Sequence, residues 1–401
     1  MKRTFGNAFA VSRLFGAGRA GSLAIGLLTA GWLLGCGSSN NSKLPGSYVR
    51  SDLTADQASA GAAHVDPSLI NAWGLSSGPQ TYFWVANEGS GTATVYDGTG
   101  APMPAPPLVV TIPPAGGGTV ANPTAQALSA GLGSPTGLVF NGSTDFMGDN
   151  FIFATLDGTI SGWASGSGAT LRWDNSASGA SYTGLAIGNN GSGLAVGSNS
   201  PINYLYAANF AAGTVDVLDG TYTPVNLGAG AFVDPTLPAG YSPFGIQSLG
   251  STVYVAYAQR TAPSKVGTAG AGRGYVSAFA TNGTFSRRLV SQGSLDAPWG
   301  LTMAPAGFAG SAQVLLVGNF GDGHIGAYEP SSGRLLGQLK DASGTAIAID
   351  GLWGLVFGNG ASGGNANTLY FTAGPQGEVH GLFGAITLGG PAAISGGDGG
   401  Y

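Results

Sequence analysis

The sequence has few charged side chains, three histidines and a single cysteine. Only 8% of its 401 residues are charged, whereas an average soluble domain has roughly 25%. Lys and Arg together number 14, against 19 Asp and Glu. A basic nucleic-acid-binding surface is therefore missing, and we expect no nucleic-acid partner. The low cysteine and histidine counts also exclude a disulfide framework and a structural zinc site.

Glycine and apolar residues, by contrast, are abundant. The chain contains 73 Gly and 22 Pro, together with 43% hydrophobic and 10% aromatic residues. The hydrophobic content is too high for a disordered chain, and the glycines and prolines supply many turns. Because 401 residues can bury a large core, these features predict a turn-rich, all-β globular protein.

The first 36 residues have the pattern of a secretory signal. Lys2 and Arg3 precede an uncharged apolar run at 23–34, which is too short to span a bilayer as a helix. The run ends in Leu-Leu-Gly-Cys at 33–36, which resembles the lipobox of bacterial lipoproteins. The resemblance implies acylation of Cys36 and a lipid anchor in the bacterial cell envelope. The alternative is a signal peptide that ends near a cysteine by chance.

No Asp follows Cys36, so the inner-membrane retention signal of Gram-negative lipoproteins is missing. We therefore expect anchoring at the outer membrane or the cell surface. The next residues are rich in Gly, Ser and Asn, which is typical of a flexible tether.

One short pattern recurs six times and determines the expected architecture. Each copy ends in Gly followed by Leu or Ile, and the copies are about 50 residues apart, which is the length of a propeller blade. Apolar, β-rich runs bounded by Gly, Asn and Asp follow the copies, as at Phe83–Asn87 and Val314–Asn319. The copies lie at 72–75, 135–138, 182–185, 243–246, 298–301 and 352–355.

Six repeats predict an all-β, six-bladed β-propeller, because radial repetition buries the faces of neighbouring sheets. The last repeat has room for only three strands, the third at 379–386. The segment 48–53 is the expected fourth strand, which would cover the exposed edge and close the ring. We expect a monomer with a signal peptide at 1–35, a tether at 36–47, the propeller at 48–388 and a Gly-rich tail at 389–401.

The order of these motifs resembles that of NHL-type six-bladed propellers. The mature chain more closely resembles a family of secreted bacterial propellers to which no activity is assigned. The resemblance implies the fold over roughly 48–386 and leaves the function open. It is carried by the segments 66–74, 206–210, 213–217, 232–235, 237–241, 318–323 and 350–355.

The loops that enter the inner strands and the loops between second and third strands should surround one mouth of the channel. The residue before the repeated Gly is aromatic in four of the six copies. We hypothesise a collar that stacks on a sugar or an aromatic ligand, with at least two indoles partly open to solvent. The alternative is packing in the core. The candidate ligand-binding residues are Trp73, Phe244, Trp299 and Trp353, with turns at Asn87, Asn209 and Asn319.

An enzymatic alternative comes from a resemblance to metal-dependent lactonase propellers. Those enzymes hold a divalent cation with oxygen ligands at the mouth and have an Asp in a Pro-Asp-Gly segment. Here the matching positions are Thr136, Phe244, Trp299 and Trp353. A replacement cluster could come from Glu88, Asp157, Asn209, Asn319 and Asp322, and acid-base groups from His324, Glu378 and His380.

The low charge and the aromatic positions favour binding over acid-base chemistry. The favoured function is a non-catalytic envelope propeller that binds a glycan, a small molecule or a protein at its channel mouth. The alternative is a metal-dependent hydrolase or lactonase. The sequence identifies neither catalytic residues nor a metal or cofactor.

Overall fold

The computed structural model describes residues 44, 46–116, 131–189, 203–261 and 266–389. The expected signal peptide, the lipidation site Cys36 and nearly all of the Gly-rich tail lie outside these residues. Within the described ranges, no helix is long and apolar enough to cross a membrane.

The strands form six sheets that follow one another along the chain. Two strands, β1 (Tyr48–Ala55) and β2 (His64–Val65), precede blade 1, which contains β3 (Ala72–Ser76), β4 (Phe83–Asn87), β5 (Thr92–Tyr96) and β6 (Val109–Thr111). Blade 2 contains β7 (Pro135–Phe140), β8 (Phe151–Thr155), β9 (Thr159–Trp163) and β10 (Thr170–Asp174). Blade 3 contains β11 (Tyr182–Asn189), β12 (Asn203–Asn209) and β13 (Thr214–Leu218).

The second half of the chain continues the series. Blade 4 contains β14 (Tyr241–Leu249), β15 (Thr252–Gln259), β16 (Gly274–Ala280) and β17 (Phe285–Ser291). Blade 5 contains β18 (Pro298–Ala304), β19 (Val314–Asn319), β20 (Ile325–Tyr328) and β21 (Leu335–Gln338). Blade 6 contains β22 (Leu352–Phe357), β23 (Leu369–Ala373) and β24 (Leu382–Leu388). Short helical turns lie at Ala58–Ala60, Phe146–Gly148, Ser176–Ser178 and Pro375–Glu378.

The six sheets form a closed ring. The inner strands β3, β7, β11, β14, β18 and β22 each contact the inner strand of the next blade, and β22 contacts β3. The second strands β4 and β8 are buried along their whole length, because neighbouring blades cover both faces of each sheet. The expected all-β, six-bladed propeller is confirmed.

The N-terminal strand completes blade 6, as the sequence predicts. Strand β1 pairs antiparallel with β24, from Tyr48 opposite Leu388 to Ala55 opposite Leu382. The expected start of the last strand at 379 is wrong, since β24 begins at Leu382. Val379 itself has a right-handed helical backbone, with φ −84° and ψ −12°, and it follows the left-handed residues Gln376, Gly377 and Glu378, so the chain becomes extended only after it.

Blade 3 differs from the four-stranded expectation, because its sheet has three strands among the described residues. After β13 the chain makes one isolated bridge, Leu218 opposite Pro224. Its hydrogen bonds run from the Val225 N–H to the Val217 carbonyl and from the Asp219 N–H to the Thr223 carbonyl. It then crosses to blade 4, where the Phe232 N–H donates to the Gly283 carbonyl. Phe232 is buried between these two blades, so this segment fills the space between blades rather than extending a sheet.

The repeated glycines lie where neighbouring inner strands come closest. A Cβ atom added to Gly184, Gly300 or Gly354 would lie 3.1, 2.6 or 3.0 Å from the backbone oxygen of the residue before the next blade's repeated glycine. At Gly74, Gly137 and Gly245 the added Cβ would be closer still to the backbone of the next blade. Each inner strand also shifts its register at this point. Only glycine fits this contact without displacing a strand.

We expect Gly245→Ala to destabilise the protein by about 3 kcal/mol, because the new methyl group would overlap the Trp299 carbonyl oxygen. The control is Gly230→Ala, since a Cβ at this exposed loop glycine meets nothing within 4 Å. That control should change the free energy of unfolding by no more than about 0.5 kcal/mol. Urea unfolding of both variants measures the difference, and equal midpoints would contradict the proposed contact.

Candidate functional site

The four aromatic candidates lie together on the propeller axis. Trp73 and Trp353 stack with their ring centroids 3.7 Å apart, and Phe244 and Trp299 pack edge-on against Trp353 at 5.7 and 5.8 Å. Phe320 stacks on the ring of Trp353 at 4.2 Å. We call the following set the aromatic plug, to which every blade contributes: Trp73, Leu156, Phe210, Phe244, Trp299, Phe320 and Trp353.

The prediction that at least two indoles are open to solvent is wrong. Trp73, Phe244 and Trp353 are at most 1% exposed, and only Trp299 is partly exposed. Trp299 borders a cavity of about 30 Å³ between the inner strands, which has room for water but not for a sugar. Side chains of blades that are not neighbours meet, as Trp73 meets Trp299 and Phe244 meets Trp353, so they form a plug instead of an open collar.

The three asparagine candidates are buried and bind groups close to their own turns. The Asn87 side-chain amide donates to the Thr94 hydroxyl at 2.9 Å. The corresponding amides of Asn209 and Asn319 donate to carboxylates of Asp216 and Asp322, at 2.9 and 3.0 Å. These bonds stabilise the turn between the second and third strands. A ligand contact at any of the three stays a prediction.

The acidic residues and histidines of the enzymatic alternative do not come together in one site. Among the described residues, no group of three or more His, Cys, Asp or Glu side chains is arranged to hold a metal ion. His324 pairs with Asp322 at 3.1 Å, and His380 pairs with Asp56 at 2.7 Å. Glu378 and His380 precede β24 and do not lie on a strand.

In blade 1 a carboxylate lies at the position that the aromatic plug fills with an apolar side chain in blades 2, 3 and 5. Leu156, Phe210 and Phe320 each follow the residue that ends a second strand, and the same register places Glu88 after β4 and Gly374 after β23. At the position after the second strand, blade 1 therefore has a carboxylate and blade 6 has a glycine, whereas blades 2, 3 and 5 have apolar side chains. A Cβ at Gly374 would collide with the Asn71 side chain.

Asn71 connects this carboxylate to the plug. Its Nδ2 donates to Glu88 Oε2 at 3.0 Å, and its Oδ1 accepts a hydrogen bond from Trp353 Nε1 at 3.0 Å. Asn71 has a left-handed backbone, a conformation that asparagine tolerates better than most residues. The side-chain orientation of Glu88 is thus fixed by the inner strands of blades 1 and 6.

Glu378, in the helical turn of blade 6, is a second carboxylate beside Glu88. Burial, with a further contribution from the Glu88 charge, raises the pKa of Glu378 from 4.5 to about 7. Its Oε1 is buried and has no hydrogen-bond partner among the described residues. We call Asn71, Glu88 and Glu378 the acidic notch. It can accept hydrogen bonds from a ligand and can exchange a proton near neutral pH.

The sequence contained one usable signal for the notch. The position after the second strand is apolar in blades 2, 3 and 5, so Glu88 and Gly374 break the pattern. The pairing of Glu88 with Glu378 was not predictable from spacing, because blades 1 and 6 become neighbours only when the ring closes.

We expect Glu378→Gln to remove a pH-dependent loss of stability. Because the folded-state pKa is raised to about 7, the folded protein retains a proton that the unfolded chain releases above pH 4.5, so stability falls between these values. The variant should lack this contribution and should gain stability relative to wild type as the pH rises to 7. Urea unfolding from pH 4 to 8 measures it, and Glu329→Gln, at a partly exposed carboxylate that pairs with Arg334, is the control. Parallel wild-type and Glu378→Gln curves would contradict the assignment.

Comparisons with known proteins identify relatives of viral origin. No family model matches the chain. The "Uncharacterized protein R648" of Acanthamoeba polyphaga mimivirus is 32% identical over 345 residues, which cover 81% of this chain and 76% of that protein. The "Uncharacterized protein L690" of the same virus is 28% identical, over 81% of this chain and 82% of that protein.

Among solved structures, the chain is similar to a catalytically inactive virginiamycin B lyase from Staphylococcus aureus with quinupristin. The two are 12% identical with a TM-score of 0.48, over 85% of this chain and 99% of the lyase chain. Membership of a secreted bacterial family stays a prediction, because the sequence relatives are mimiviral. The extent and identity of the first match show that the chain belongs to the same protein family as R648 of Acanthamoeba polyphaga mimivirus.

Proposed function

We propose that this protein is an envelope-anchored, non-catalytic β-propeller that binds its ligand at the channel mouth through the acidic notch. The observation behind the proposal is the break in the aromatic plug, where Glu88 occupies a position that is apolar in blades 2, 3 and 5. Because the plug fills the axis, the ligand approaches from the mouth and does not enter the channel.

The chemistry of the notch favours a ligand that donates hydrogen bonds, above all a protonated amine. Glu88 keeps acceptor capacity beyond its bond from Asn71, and Glu378 supplies a second carboxylate close enough to interact with the Glu88 charge. A cationic group between the two carboxylates would reduce their mutual repulsion. The amine could belong to a small molecule, an amino-bearing glycan or a protein side chain. The alternative, a metal-dependent hydrolase, needs a cluster of metal ligands, and the described residues contain no group of three or more His, Cys, Asp or Glu side chains that could hold a metal ion.

We expect cadaverine to bind the protein at pH 8, where Glu378 is ionised, and pentanediol, its uncharged counterpart, to bind much more weakly. Glu88→Gln and Glu378→Gln should each weaken cadaverine binding about tenfold or more, as the loss of a charged hydrogen bond implies. Isothermal titration calorimetry measures this, with Glu329→Gln as the control variant.

Equal affinity for the amine and the diol, or unchanged affinity in both notch variants, would overturn the site. A screen for lactone and ester hydrolysis with metal analysis tests the alternative function. Turnover together with stoichiometric metal would replace the binding proposal by the hydrolase.

The anchor requires a separate experiment. We expect full-length protein to partition with membranes after expression in a Gram-negative host, because acylation of Cys36 would supply a lipid anchor. Stable attachment would also need a second acyl chain or another membrane-binding signal. Cys36→Ser should release the protein in soluble form or leave the signal uncleaved. Soluble, unacylated wild-type protein would show that the anchor is wrong.

A further inference from the structure

A larger cavity lies on the rim of the mouth, at the seam where β1 completes blade 6. Its volume is about 330 Å³, within the range of natural small-molecule sites. One wall comes from the N-terminal segment and the other from the residues around the start of β24. We call this cavity the seam pocket; its polar lining includes Arg50, Asp52, Asp56, Gln57, Gln376 and His380.

The charges of the seam pocket are already paired with one another. Arg50 binds both carboxylate oxygens of Asp52, through Nε at 2.8 Å and Nη2 at 3.1 Å. Asp56 Oδ2 is 2.7 Å from Nδ1 of His380. A charged ligand would have to compete with these partners for the same side chains, whereas a neutral ligand needs only the hydrogen-bonding groups that they leave unused.

Several side chains of the seam pocket nevertheless keep unused hydrogen-bond donors or acceptors. Arg50 uses three of its five donors, the third on the Ala348 carbonyl at 3.0 Å, and so keeps two. With His380 Nδ1 donating to Asp56, Nε2 accepts from the Gln57 amide at 3.0 Å. This leaves the side-chain oxygen Oε1 of Gln57 without a hydrogen bond in the part of the chain that the structure describes. Asp56 also keeps free lone pairs beyond its bond from the Gly381 N–H.

The apolar part of the lining comes from Ala60, Pro375 and Leu382. We propose that the seam pocket binds a neutral, hydroxyl-rich ligand, namely one sugar residue. Each sugar hydroxyl both donates and accepts a hydrogen bond, which matches the adjacent free donors and acceptors. The C–H face of the ring would cover the apolar wall. This site is separate from the acidic notch and takes a ligand of different charge.

The test uses the methyl glycosides of glucose, galactose and mannose, with sulfate and methylammonium as charged probes. We expect at least one glycoside to bind the full chain in the millimolar range by ligand-observed NMR and calorimetry, and neither ion to compete. Gln57→Ala should weaken binding about five- to tenfold, because it removes the amide that orients His380 and a free acceptor. Gln338→Ala, at a half-buried glutamine of blade 5, is the matched control and should bind as wild type does.

A second variant makes the result independent of folding. Ser59 is exposed and lines the pocket, so Ser59→Trp should fill it and abolish glycoside binding while the thermal unfolding midpoint stays unchanged. Competition by either ion, absence of glycoside binding, or full binding by both pocket variants would overturn the proposal. Glycoside binding lost in Glu88→Gln but kept in Gln57→Ala would also overturn it, while leaving a ligand site at the mouth.

Discussion

The contact between neighbouring inner strands, which admits only glycine, is the constraint on which the rest of the structure depends. At all six repeats the glycine Cα lies against the backbone of the next blade. This contact brings the inner strands close to the axis and fixes how many blades close the ring. A larger residue at one position would push a strand outward, and the displacement would pass to both neighbouring blades because interiors are close-packed.

The small inner radius explains why the aromatic residues became a plug. A side chain that extends from the residue before each glycine reaches the side chain of another blade before it reaches solvent, as the Trp73 and Trp353 stack shows. The aromatic groups therefore contribute mainly to the core. A carboxylate interrupts the plug at the junction of blades 1 and 6, where Glu88 and Gly374 occupy the position after the second strand.

Closure of the ring by β1 has a second consequence for function. It brings the N-terminal segment beside residues that are more than three hundred positions away, as in the pair of Asp56 and His380. The acidic notch lies at the junction of blades 1 and 6, and the seam pocket lies beside β1 in blade 6. Both candidate sites therefore exist only in the closed ring, and the helical turn at Pro375–Glu378 separates them.

The repeats in the sequence are enough to predict the all-β class, the six blades and the closing strand, because each repeat has its own turns, apolar runs and glycine. They also identify the aromatic positions as equivalent. The folded ring alone shows that these side chains fill the axis, since ring radius is a property of all six blades together. It likewise decided that Glu88 lies near Glu378 and that Asp56 pairs with His380. Those pairs join opposite ends of the chain, and no local pattern in the sequence encodes their distance.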